Sequence, residues 1–223
     1  MAPVVRYFKE NPASFETIVA VTGQHKEMLD QALNLFGIEP DYNLQLMGHN
    51  QSLTSLTTKI LSGIEEVIEK EIPDLIIVQG DTTTTFAASL ASFYQQVPIG
   101  HIEAGLRTKN IYEPFPEEIN RRLSSVITSF HFCPTKETSD NLIAEGINKS
   151  DIHVTGNTVI DALKIISEEI DNNKDYYLDS FKKRYGIKFD ERRTILVTGH
   201  RRESFGEGFD EICKALKEIA LNN

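Results

Sequence analysis

Short β-branched runs recur along this chain at intervals filled by longer amphipathic stretches. That alternation restricts the fold to a parallel sheet with helices on its faces, an α/β architecture, because parallel strands need helical crossovers between them. The pattern predicts strands over 17–22, 74–79, 97–102, 130–133, 151–155 and 194–198. It predicts helices over 25–36, 53–71, 83–95, 117–129, 136–145, 158–170 and 209–221. The opening MAPVVRYFKENP reads as a further helix with no strand before it. Between 171 and 193 the chain becomes polar and charge-rich, which reads as a linker after a first domain at 1–171. The remainder, 172–223, offers one strand and one helix, so it reads as the start of a second domain that the chain does not complete.

Charge and cysteine content narrow the partners. Lys and Arg total 23 against 33 Asp and Glu, and the net charge of −10 is spread along the chain. That disfavours a sequence-independent grip on nucleic acid or an acidic membrane, so a small anionic ligand would need a local basic site. Cys133 and Cys213 stand far apart without a CxxC pair, which suggests neither a disulfide framework nor zinc. No metal or cofactor is expected. No run approaches the roughly 18 apolar residues that span a bilayer, and MAPVVRYFKENP lacks a signal-peptide core, so a cytoplasmic protein is expected. Neither a Walker loop nor a GxGxxG fingerprint is present.

Four constellations carry chemistry. Gly80-Asp81 follows an apolar run and precedes four threonines, placing Asp81 at the carboxyl end of a parallel strand, the edge where open α/β sheets bind ligands. The competing reading is Asp81 as a helix N-cap. HIEAGLR, 101–107, puts Glu103 at the next strand tip with Gly105 permitting a turn; the competing reading is an Arg107–Glu103 surface ion pair. Glu117 and Glu118 open a helix after Pro116, which any helix start could show. The loop 199–208, with His200, Arg201 and several glycines, suits an anion. Gln24 and His25 are weaker binding candidates, while His131 and His153 read as packing or surface residues.

The order MAPVV, TGQH, DYNLQLM, GDTTTTFAASLASFY, HIEAGLRT, PFPEEINRR, TGNTVIDAL and ILVTGHRRESFGEGFDEI closely resembles the non-hydrolysing UDP-N-acetylglucosamine 2-epimerases along essentially the whole chain. The resemblance implies a Rossmann-like parallel sheet of a glycosyltransferase-B-type fold, with the nucleotide sugar held between two domains. It implies interconversion of UDP-N-acetylglucosamine and UDP-N-acetylmannosamine for cell-surface polysaccharide synthesis, through elimination of UDP to 2-acetamidoglucal and re-addition, in a homodimer. Asp81, Glu103 and Glu117 become the acid/base set; His200, Arg201, Gln24, His25 and Arg107 become substrate-binding residues.

Family members carry a strand and a GTRPE-containing loop before MAPVV. In the order 3-2-1-4-5-6 that strand is central, so 17–22 and 74–79 are expected to flank an empty slot. The alternatives are an inactive or partner-complemented fragment of that enzyme and a nucleotide-sugar glycosyltransferase of the same fold. Where allosterically activated members carry QHxxQ, this chain has Gln24-His25-Lys26-Glu27, and activation of that kind is not expected.

Overall fold

The computed structural model describes residues 1–23, 26–46, 48, 51–189, 194–198 and 207–222. The chain begins with helix α1 (Ala2–Glu10), then strand β1 (Ala20–Val21), helix α2 (Lys26–Phe36), strand β2 (Tyr42–Asn43) and helix α3 (Leu53–Glu71). Strands β3 (Ile76–Gln79), β4 (Ile99–Ile102), β5 (Phe130–Cys133) and β6 (Ile152–Val154) follow, joined by helices α4 (Thr83–Tyr94), α5 (Glu117–Ile127) and α6 (Lys136–Ala144). Helices α7 (Thr158–Asn172), α8 (Lys174–Tyr185) and α9 (Glu207–Asn222) complete the described elements. Two compact units result, Met1–Glu168 and Glu169–Asn223.

Every strand pairing is parallel, and β3, β4, β5 and β6 lie side by side in chain order, as βαβ crossovers require. The core grows from α3, where Leu56, Ile60, Ile64 and Ile68 recur at the four-residue spacing that keeps one helix face turned inward. They pack with Val78, Ile99 and the small residues Ala87, Ala88 and Ala91 of α4. The alanines let helix and sheet approach closely. A separate cluster of Ala104, Cys133 and Leu142 holds α6 on the far side of the sheet order.

Strands β1 and β2 form a second, two-stranded sheet, and no described strand joins it to β3. A cavity of about 530 Å³ lies where the expected slot falls, lined by residues of both edges, including Ala20 and Ile77.

Two expectations are corrected. The stretch read as a linker contains α8, which ends on Gly186 in a left-handed conformation (φ +69°). Phe181 stands edge-on to Phe189 and beside Tyr185, ring contacts that the charge content of the segment masks, although all three rings stay exposed. Residues 194–198 form no strand, and among the described residues the second unit holds no strand for them to pair with. Among the described residues no helix is long and apolar enough to cross a membrane.

Candidate active site

Gly80 and Asp81 leave β3, and Glu103 leaves β4, at the same end of the sheet, because the parallel register pairs Gln79 with Ile102. Asp81 does not cap α4. Thr82 does, its hydroxyl accepting the Thr85 N–H at 3.3 Å, while the Thr85 hydroxyl donates to the Gln79 carbonyl at 2.7 Å. The Thr84 hydroxyl lies 3.1 Å from that of Thr22. The threonine run is therefore largely engaged in building the turn, and the Asp81 carboxylate is released from that duty.

Asp81 forms an ion pair with Arg121 of α5. Arg121 also donates to Glu118 at 3.0 Å, one helical turn earlier. Glu118 is fully buried and accepts the Thr108 N–H at 3.1 Å. Asn120 donates its side-chain amide to the Asp81 carbonyl at 2.9 Å. The first turn of α5 is thereby tied to the tip of β3. A Cβ added to Gly80, which has a φ of +77°, would stand 3.6 Å from the Glu103 carboxylate, so the two strand tips are in van der Waals reach.

Glu103 itself adopts φ +67°, a left-handed conformation uncommon for a residue with a side chain. Such strain gathers at sites where geometry matters more than local energy. Gly105 holds the turn that follows: at φ +85°, a Cβ there would run into the Thr138 carbonyl of α6. His101 anchors the turn from below, with Nε2 2.7 Å from the Gly80 carbonyl. Burial lowers its pKa, partly opposed by that carbonyl. Its cross-strand neighbour His131 is held down to about 4, first by burial and then by His101. Both are neutral near pH 7.

Glu117 begins α5, where the helix dipole favours a carboxylate. Among the described residues, Glu117 Oε2 and Glu118 Oε1 are buried without a hydrogen-bond partner. Two unsatisfied carboxylate oxygens in the first turn of the helix that carries Arg121 call for an explanation that packing does not supply.

Arg107 is corrected. Its guanidinium donates to both Glu145 oxygens at 2.7 Å, to the Leu106 carbonyl at 2.7 Å and to Ser125 at 3.0 Å, and it is 4% exposed. It pairs with Glu145 in place of Glu103, and its guanidinium lowers the Glu145 pKa. Gln24, His25, His200 and Arg201 lie outside the described residues. The reading from residues passed over Glu118, Asn120 and Arg121. The signal was the three-residue spacing of Glu118 and Arg121 within PFPEEINRR, an ordinary intrahelical pair until burial is known.

The parallel sheets with helical crossovers, and the likeness to solved relatives, define a Rossmann-like α/β protein of the glycosyltransferase-B type. A family model described as UDP-N-acetylglucosamine 2-epimerase matches residues 8–223, and the chain belongs to that family. The UDP-N-acetylglucosamine 2-epimerase of Campylobacter jejuni is 51% identical over 226 residues, covering 100% of this chain and 58% of the relative. That of Escherichia coli K12 is 49% identical, covering 100% and 59%. The UDP-GlcNAc 2-epimerase of Neisseria meningitidis, solved bound to UDP-GlcNAc, superposes with a TM-score of 0.90 at 47% identity, covering 100% of this chain and 59% of that one. The chain thus spans 58–59% of the length of these relatives.

Proposed function

We propose that the carboxylates at the tips of β3 and β4 and at the start of α5 supply the acid/base chemistry of a UDP-N-acetylglucosamine 2-epimerase. The observation that carries this is the placing of Asp81 and Glu103 at neighbouring strand tips, with Arg121 of α5 pairing both Asp81 and Glu118 and with Glu117 Oε2 and Glu118 Oε1 buried without a hydrogen-bond partner. A proton at sugar C2 is not acidic in the ground state, so its removal must be coupled to departure of the group at C1. One carboxylate takes the C2 proton while the C1–O bond to UDP breaks, giving 2-acetamidoglucal and UDP. A protonated group then delivers a proton to the opposite face of C2 as a UDP oxygen re-adds to C1, and UDP-N-acetylmannosamine results. Asp81, Glu103 and Glu117 are the acid/base candidates. His200 and Arg201 are proposed to face the diphosphate, Gln24 and His25 the substrate, and 172–223 to begin the nucleotide-binding side. Solved relatives support the ligand class, since one from Methanocaldococcus jannaschii was crystallised with UDP-GlcNAc and UDP.

The test is isotope exchange at C2. The chain is assayed alone and after being joined to the remaining sequence of the Campylobacter jejuni relative, in deuterated water with UDP-N-acetylglucosamine. Deuterium at C2 of the recovered sugar nucleotide, together with UDP-N-acetylmannosamine, supports the reading. Transfer of the sugar to an acceptor without C2 exchange would establish a glycosyltransferase instead.

A further inference from the structure

Asp81 is held at three points by side chains to which the acid/base reading gives no part. The carbonyl before it, that of Gly80, lies 2.7 Å from Nε2 of the buried His101. Its own carbonyl accepts from the side-chain amide of Asn120 at 2.9 Å, and its carboxylate pairs with Arg121, the next residue of α5. Adjacent residues of one helix thus grip the backbone and the side chain of a single strand-tip residue. The Arg121 guanidinium also donates to Glu118 at 3.0 Å through its other terminal nitrogen, and Glu118 accepts the Thr108 N–H at 3.1 Å. Thr108 belongs to the turn that follows Glu103. One planar cation therefore ties the β3 tip directly, and the turn beyond the β4 tip through a buried carboxylate.

Exposure separates the group that reacts from the groups that hold it. The Asp81 side chain is 27% exposed, whereas those of Arg121 and Glu118 are 13% and 1% exposed. The carboxylate reaches solvent, where a substrate arrives, and the cation is the more withdrawn of the pair. Thr82 relieves Asp81 of capping α4, so the Asp81 side chain takes its direction from these tertiary ties. Direction matters for proton transfer from carbon, because displacing a reacting group by about 1 Å can cost on the order of 100-fold in rate. We propose that Arg121 is a positioning residue of the site: it aims the Asp81 carboxylate at the substrate, with Asn120 fixing the backbone beneath, and makes no substrate contact of its own. The proposal rests on the acid/base reading of Asp81 and deepens it. Lysine replaces Arg121 only in part, since a single ammonium lacks the rigid fork that serves two carboxylates at once.

The test is a double-mutant cycle on UDP-N-acetylglucosamine turnover, run with the chain alone and completed as in the isotope assay. Each kcat is divided by the folded fraction from circular dichroism. R121K is expected to lower kcat about tenfold with KM changed less than about threefold, and N120A, which leaves the ion pair in place, to lower kcat about threefold. In the D81N background each substitution is expected to cost less than about twofold more, because no carboxylate is left to aim. A further loss of about tenfold from R121K in D81N would overturn the proposal, since an arginine that only supports the fold, or that binds the leaving diphosphate, acts whether or not Asp81 is charged. A rise in KM with kcat kept, or full activity of R121K, would overturn it too. If R121K does not fold, the cycle rests on N120A, and a loss in D81N equal to that in the parent would overturn the proposal. Full activity of D81N, or no turnover by the unsubstituted protein, would sink the acid/base reading itself and this inference with it.

Discussion

Strand β3 meets its surroundings in two contrasting ways. At its carboxyl tip, Asp81 is cross-tied to α5 by Arg121, and the Asp81 carbonyl is held by Asn120. Along its free edge, Ile77 faces a cavity with no described strand beside it. The tip is tied by side chains from a helix forty positions away in the chain, whereas no described strand joins the other edge to β1 and β2. Side-chain ties at the tip and strand pairing along the edge are therefore separate matters among the described residues.

Breaking the cross-tie should have the largest effect. R121A leaves the fully buried Glu118 without its cation, and a loss of about 3–5 kcal/mol is expected in denaturant unfolding, with R121K recovering part of it. A loss under about 1 kcal/mol would mean that the tip is no better tied than the edge.

Acid should weaken the sheet next. His131, and His101 in the same direction, have folded pKa values below the ordinary 6.5. The unfolded chain then binds more protons, so stability is intact above pH 6.5 and falls as pH drops from 6.5 toward 4. The thermal midpoint should follow that window, and H131N should flatten it. Below the tie in energy sits the cap: T82A should cost about 1 kcal/mol, since Thr82 and not Asp81 holds the start of α4. D81N should leave helix capping untouched. Smallest of all, A20K should change stability by less than about 0.5 kcal/mol, because the Ala20 side chain is exposed and β1 pairs with β2 through backbone groups.

The same contrast explains what the sequence revealed. Helix α3 and strand β5 match their predicted bounds, because an every-fourth-residue apolar stripe and a short apolar run are local signals. The tips were visible as GDTTTT and HIEAGLR, since strand ends in α/β folds announce themselves by glycine and carboxylate. Strand β2 is only Tyr42–Asn43 and owes its existence to pairing with β1, which no local pattern encodes. Glu117 and Glu118 are identical in type and adjacent, and only the packing of α5 buries the second completely. Arg107 finds Glu145 in place of nearby Glu103 because Gly105 turns the chain toward α6. Charge content disguised α8 as a linker, and the ring contacts of Phe181 with Tyr185 and Phe189 are too few to stand out in so polar a stretch.

The central claim is that the carboxylates at the strand tips do the proton chemistry. The measurement is turnover of UDP-N-acetylglucosamine to UDP-N-acetylmannosamine by the chain completed to the length of its Campylobacter jejuni relative, with and without D81N. A fall in kcat of about 100-fold or more, with KM little changed in a protein that circular dichroism shows to be folded, is the predicted result. Unchanged turnover in a folded D81N protein would contradict it.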